Sequence, residues 1–254
     1  MSRVLRYLLA MPTAFLISSG GASAAPIYTQ PGSNLACSPS CWISQYDTGS
    51  QLGIRTFDDF TLTASAGITV AQWRGFAQAG DPKLNPTNPI TTTWNLSFWS
   101  DTGTGVFSFP LNVLHSVDIA AANVQMTLVG LSPFAGSTVS LYDFTATLPV
   151  AFSALGGVKY WFSPLSIQDG MDPGFQWSAA AVNVNGWSTQ QSIVGTTSSP
   201  FYLTSNDRAF TLDARSATPA VPEPSTWAMM IGGFTMAGLT IRRRKVALPA
   251  SYER

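Results

Sequence analysis

Trp94-Asn95-Leu96-Ser97-Phe98-Trp99 places large apolar side chains at every second position, and Val158-Lys159-Tyr160-Trp161-Phe162-Ser163 repeats the pattern. Successive side chains of an extended chain point to opposite faces, so this period puts Trp94, Leu96 and Phe98 on one face and Val158, Tyr160 and Phe162 on another. Val124, Met126 and Leu128 alternate with Gln125 and Thr127 in the same way. β-branched and aromatic residues dominate these runs, as a pleated, half-buried surface favours. Further runs fall at 60–63, 68–76, 106–109, 139–147, 175–182, 201–203 and 209–212.

Breakers separate the runs: Ala79-Gly80-Asp81-Pro82, Asn85-Pro86, Asp101-Thr102-Gly103-Thr104-Gly105, Gly156-Gly157, Asp169-Gly170 and Asp172-Pro173-Gly174. Glycine and proline punctuate strands because they supply turn geometry and remove ladder bonds. No window before the C-terminal tail carries a long apolar face of helical period. Many short strands at near-regular spacing predict an all-β fold, a β-sandwich or jelly-roll-like domain. The alternation places Trp73, Trp94 and Trp161 in its core. Trp187, in Asn183-Val184-Asn185-Gly186-Trp187, reads as a loop residue and is the better candidate for stacking on a sugar ring.

Both ends depart from this pattern. At the N-terminus Arg3 and Arg6 precede an apolar stretch running to Ile17, then small residues to Ala25. This is the order of a signal peptide, with a cut expected after Ala24 or Ala25. The apolar stretch is interrupted by Pro12 and falls short of the roughly 20 residues a permanent span requires.

The C-terminus reads Val221-Pro222-Glu223-Pro224-Ser225-Thr226, then Trp227-Ala228-Met229-Met230-Ile231-Gly232-Gly233-Phe234-Thr235-Met236-Ala237-Gly238-Leu239-Thr240-Ile241, then Arg242-Arg243-Arg244-Lys245. Pro222 and Pro224 hold the backbone around Glu223 extended, so an enzyme can grip it as a strand. Trp227 suits the membrane interface, and the uncharged stretch to Ile241 predicts a transmembrane helix. At about 1.5 Å per residue it reaches a little over ~20 Å, less than the roughly 30 Å hydrocarbon core. Snorkelling arginines and local thinning close that gap. The basic cluster Arg242, Arg243, Arg244 and Lys245 belongs on the cytoplasmic side, which places the preceding domain outside. Composition alone fits equally an ordinary single-pass anchor behind a proline-rich stalk.

The order of these parts resembles the PEP-CTERM sorting signal. The resemblance covers about the last tenth of the chain, and the segment after Lys245, running to Arg254, is longer than such signals often have. It implies an exported protein of a Gram-negative bacterium that makes exopolysaccharide. It also implies handling by an exosortase, a membrane-embedded cysteine transpeptidase acting at the Pro-Glu-Pro element. Pro222, Glu223 and Pro224 are then substrate residues for another enzyme, and the hydrophobic tail is an address that is removed, as in lipid-anchor signals. The organisation expected is a signal peptide at 1–25, an extracellular β-sandwich at 26–217, the sorting signal at 218–246 and a short tail at 247–254. Expected partners are signal peptidase, the exosortase, and the inner membrane that anchors the precursor before it reaches the cell surface or matrix.

A second resemblance is spread over about 150 residues. Asp58-Asp59-Phe60-Thr61-Leu62, the strand Ile68 to Gly75, Leu96 to Asp101 with Gly103 to Gly105, Tyr142 to Leu148, and Gly157 to Phe162 are similar to bacterial secreted β-sandwich domains. It implies a fold and no activity.

The formal charge of zero hides an uneven distribution. The signal segment carries +2 and the residues from Pro222 onward +3, so the domain between them carries −5. All its acids are aspartates. A sparse, slightly acidic surface excludes nucleic acid as a partner, since that needs clustered Lys and Arg. The only cysteines, Cys37 and Cys41, bracket Ser-Pro-Ser. Outside the cell a disulfide is favoured, and one closing so short a loop adds only modest stability. A metal or redox pair would want further ligands, and His115 is the only histidine.

Little else carries chemistry, and no metal or cofactor is expected. Asp58 and Asp59, as strand neighbours, point to opposite faces, and the expectation is a turn or edge hydrogen bond for one of them. A calcium ion would need several more oxygens. The Asp101–Gly105 stretch reads as a turn. A serine hydrolase would have to use His115, and the domain has no Gly-x-Ser-x-Gly elbow. A glycosidase needs two carboxyl groups a fixed distance apart, which sequence cannot place. The leading expectation is a non-enzymatic structural or adhesive domain. The second is a carbohydrate-binding module associated with exopolysaccharide, and the third a hydrolase of matrix polymers.

Overall fold

The computed structural model describes residues 26–34, 41–77, 84–85, 88–89, 91–103, 107–134, 137–169, 174–184 and 186–214. The expected signal and transmembrane helices therefore lie outside the described residues. The strands are β1 Tyr28–Gln30, β2 Cys41–Ile43, β3 Gln45–Asp47, β4 Leu52–Thr61, β5 Ala66–Ala77, β6 Leu84–Asn85, β7 Asn88–Pro89, β8 Thr91–Asp101, β9 Pro110–Ala120, β10 Gln125–Phe134, β11 Ser137–Ala154, β12 Lys159–Gln168, β13 Phe175–Ser178, β14 Trp187–Val194, β15 Thr197–Ser198, β16 Tyr202–Ser205 and β17 Phe210–Asp213. Among the described residues the one helical turn is the 3-10 turn Ala121–Asn123.

The strands form two large sheets and a small ribbon. One sheet runs β1-β17-β5-β11-β10, with β13 also on β5 and β2 on β13. The other runs β15-β14-β4-β3-β12-β8-β9, with β16 on β14, while β6 and β7 pair only with each other. The fold is all-β and sandwich-like. Rings from the two sheets meet between them: Trp73 of β5 lies 5.0 Å from Trp94 of β8 and stacks on Phe144 of β11 at 5.6 Å. Phe98 stacks on Phe152 at 4.5 Å, and Phe60 meets Phe210 edge-on at 6.3 Å. Each such ring, fully buried, contributes on the order of 1.5–3 kcal/mol of transfer free energy.

The alternation predicted at 94–99 and 160–163 sets the inner face: Trp94, Leu96, Phe98, Tyr160 and Phe162 are all buried there. Trp73 and Trp94 are core residues as expected. Trp161 is also buried but faces the other way, outside the sandwich core. That outer face has a cover of its own, because Phe57 meets Trp99 at 5.3 Å and Phe201 at 5.4 Å, and Phe109 stacks on Phe201 at 6.0 Å.

Three readings of the sequence are corrected. Val158 is exposed because it sits in the turn before β12. Leu128 is exposed because β10 is an edge strand and its register shifts between Leu128 and Gly130, which breaks the period. The run expected at 106–109 is not a strand in its described part; the strand begins at Pro110 instead.

The first and last strands of the described domain lie side by side. Tyr28 pairs with Leu212, and the Ile27 amide donates to the Leu212 carbonyl at 3.0 Å. Asp213 pairs with Val70, so β17 runs toward the Ala66 end of β5. At that end lie the turn between β4 and β5 and the turn between β11 and β12, joined by a bond from the Gly157 amide to the Leu62 carbonyl at 2.8 Å.

Candidate functional site

Most residues to which the sequence assigns a function lie outside the described residues: Ala24, Ala25, Cys37, the motif Pro222-Glu223-Pro224, the segment from Trp227 to Ile241, and the basic cluster. Cys41 opens β2 opposite Ser178, and no free cysteine occurs among the described residues. Among them no helix is long and apolar enough to cross a membrane.

Asp58 and Asp59 do point to opposite faces, but neither sits at a turn or a sheet edge. They lie inside β4, a strand with neighbours on both sides, and both are buried. Asp58 faces the seam between the sheets and accepts the backbone N–H of Arg208. The Gln30 amide, oriented to satisfy both its ends, donates to Asp58 Oδ2 at 2.8 Å and to the Arg208 carbonyl at 2.6 Å. Burial, then the charges of Asp207 and Asp59, push the Asp58 carboxyl well above the usual range. Arg208 is itself buried, and its Nη2 donates to the carbonyls of Ser205 (2.8 Å) and Asn206 (2.9 Å). Burial lowers its pKa to about 10, against the charges of Asp58 and Asp207. Asp207 accepts the N–H of Gly186 at 2.7 Å and that of Val184. Tyr28 stands beside this cluster, and burial raises its phenol pKa.

Asp59 faces outward and pairs with Lys159 at 3.1 Å. Burial raises its pKa and Lys159 opposes the rise. The Lys159 ammonium lies 5.6 Å from the centre of the Trp161 ring, whose Nε1 donates to Asp101 Oδ1 at 2.7 Å. Asp101 Oδ2 accepts the Gly103 amide at 2.9 Å, the turn bond expected for this stretch. Farther along the same face, Arg55 Nη1 donates to Asn95 Oδ1 (2.9 Å) and Ser97 Oγ (2.7 Å), and Asn95 donates to Asp118 (2.6 Å). Burial lowers the Arg55 pKa to about 10, and Asp118 opposes this.

A surface groove of about 320 Å³ opens on the outer face of the other sheet, lined by Thr29, Gln72, Arg74, Asp143 and Thr211 among others. Arg74 and Asp143 form a two-pronged pair there, Nε–Oδ1 at 2.6 Å and Nη2–Oδ2 at 2.8 Å. Arg74 Nη1 also donates to the carbonyls of Gly32 (3.1 Å) and Ser33 (3.2 Å). This orders the polar wall with both charges balanced.

Trp187 begins β14 rather than lying in a loop, and it is half exposed, with the exposed Phe107 ring edge-on at 6.3 Å. His115 sits on the edge strand β9, its ring 6.1 Å from those of Phe98 and Phe152, and its Nε2 has no hydrogen-bond partner. Among the described residues no three His, Cys, Asp or Glu side chains are grouped to hold a metal. Sequence reasoning missed Arg55, Arg74, Asp143, Asp207 and Arg208. A lone charge in a polar stretch carries no signal, because its partner is set by strand pairing.

A family model described as the PEP-CTERM protein-sorting motif matches residues 220–245. No curated protein and no solved structure matches the chain. The match covers Pro222, Glu223, Pro224, the apolar segment and the basic cluster. It supports export and exosortase-type sorting, with a membrane-anchored precursor and a cell-surface or extracellular destination.

Proposed function

We propose that the chain, a PEP-CTERM protein by its C-terminal motif, is a non-enzymatic structural or adhesive protein of the cell surface or extracellular matrix, with the β-domain as the cargo of its own tail. The motif at residues 220–245 carries this reading. The domain's chemistry is consistent with it. Asp58, Asp59, Asp101 and Asp207 all hold the fold together through internal bonds, and the Arg74 charge is balanced by Asp143. The test is Glu223→Ala expressed in an exosortase-bearing host. Export across the inner membrane is expected to continue while the tail stays attached and the protein stays in the membrane fraction. A mutant with the normal mature C-terminus by mass spectrometry refutes the sorting role of Glu223.

The groove beside Arg74 and Asp143 favours carbohydrate binding as a second reading. Carboxylate, guanidinium, amide and hydroxyl groups on one wall match the alternating donors and acceptors of a sugar. A glycan array probed with the exported protein tests it, with Gln72→Ala expected to weaken any hit. An array without hits removes this reading.

A further inference from the structure

We propose that the end of the domain from which the tail departs is a membrane-facing surface that rests on the bilayer while the precursor is anchored. This rests on the reading of the tail as a membrane anchor. The occupant is a lipid surface, and the position and length of the connecting chain identify it. β17 ends at Asp213 heading out of this end, and Trp227 opens the apolar segment, so only residues 214–226 lie between them. Thirteen residues span at most about 45 Å when fully extended, and less in any other conformation. The tether therefore keeps the domain within about 45 Å of the bilayer, and the chain leaves the domain for the membrane from this end.

The residues exposed there suit that position. Leu155 and Val158 protrude from the turn between β11 and β12, which packs against the β4–β5 turn. Trp187 begins β14, two residues before Thr189 pairs with Phe57, which places it near the same end of that sheet. Phe107 lies against Trp187, in the connection leading from β8 to β9. Of the three exposed rings among the described residues, Phe107, Trp187 and Tyr202, two therefore stand here. Exposed aromatic rings and aliphatic side chains are what a headgroup layer accepts. Of the nearby charges, Lys159 is paired with Asp59, Asp101 accepts the Trp161 indole N–H, and Asp213 is buried. The opposite end exposes Leu52 and Val194 next to the turn that holds Asp47.

Docking of this kind would hold Pro222-Glu223-Pro224 near the membrane, where a membrane-embedded enzyme must reach it. It would end when the tail is removed.

The test is hydroxyl-radical footprinting of the full-length precursor in nanodiscs of phosphatidylethanolamine and phosphatidylglycerol, compared with the processed, tail-free protein. Labelling of Phe107, Leu155, Val158 and Trp187 is expected to fall several-fold in discs, with Leu52 and Val194 unchanged. Equal labelling of the tail end in both forms, or protection of Leu52 and Val194, overturns the proposal. Failure of the precursor to co-purify with discs is a different result, since it removes the tail reading and the docking with it. Protection that appears only when extracellular polysaccharide is added, and not with lipid, replaces docking by glycan contact. The variant Phe107→Ser/Trp187→Ser is expected to stay in the disc through its tail while labelling of Leu155 and Val158 returns to the processed level. Persistent protection in that variant also overturns the proposal.

Discussion

The Asp58 carboxylate, in the middle of β4, accepts the backbone N–H of Arg208, 150 residues later in the chain and across the seam between the two sheets. The bond ties the first long strand to the segment that leads into the last one. It also traps an acid where its charge is poorly solvated, and burial raises the Asp58 pKa.

That rise has a definite sign. An unfolded Asp titrates near 3.9, and the folded value lies above it, so the fold binds the proton more tightly. The stabilisation is complete below the unfolded pKa and is lost as pH rises through the folded one. Asp59 moves in the same direction despite Lys159. The exported protein should therefore gain stability as pH falls through the raised folded pKa values toward the unfolded one of about 3.9. The slope is at most roughly 1.4 kcal/mol per pH step of one, wherever the folded chain holds one proton more than the unfolded chain. Asp58→Asn keeps an acceptor for the Arg208 amide and should flatten this slope. Urea midpoints at several pH values measure it, and parallel curves for the two proteins would contradict the assignment.

Trp73 is buried against Trp94 and Phe144 at the centre of the sandwich. Trp73→Ala should cost about 3–5 kcal/mol, since it removes apolar burial and leaves a cavity walled by rigid rings. A denaturant titration that loses less than about 1 kcal/mol would mean the site collapses freely, contrary to its packing.

Gly75 lies where β5 is flanked by β11 and β13. A Cβ there would meet the Phe175 ring and come within 2.5 Å of the Gln176 carbonyl oxygen. Gly75→Ala should destabilise by about 1–3 kcal/mol, because the backbone of a paired strand cannot give way cheaply. Differential scanning calorimetry reads the loss, and an unchanged transition would show that β13 can shift.

For Cys37 and Cys41, intact mass under non-reducing conditions should be two hydrogens below the reduced mass. Replacing both by serine should cost no more than about 2 kcal/mol, because so short a loop restricts the unfolded chain little. Two free thiols in the exported protein would count against the bridge.

The structure shows how far a sequence pattern reaches. At 94–98 the alternation identified the core face, since β8 is central and its period is unbroken there; at 160–162 both faces are covered, and Trp161, expected in the core, lies on the outer one. β14 was not legible: Trp-Ser-Thr-Gln-Gln-Ser-Ile-Val has no apolar rhythm, and its inner positions Ser188 and Gln190 are buried polar groups bonded to Thr204 and Thr56. β9 was missed for another reason. As an edge strand it leaves Leu111, Val113 and Leu114 in solvent, so its side chains need not sort by face. The polar clusters were equally hidden, because Arg74 finds Asp143 69 residues away and Arg55 finds Asn95 40 residues away.

The sorting tail needed no fold to be read. A membrane and a processing enzyme recognise a linear order of proline, acid, apolar segment and basic cluster, and that order is local. The same holds for the strand period, which assigns side chains to faces one strand at a time. Tertiary structure decided which face turned inward where both were covered, as at Trp161, and which charges met across the seam. It alone brought the first and last described strands, β1 and β17, side by side. Those outcomes depend on pairings between strands far apart in the chain, whose hydrogen bonds are made by backbone groups that every residue shares, so nothing in one strand's own sequence names its neighbour.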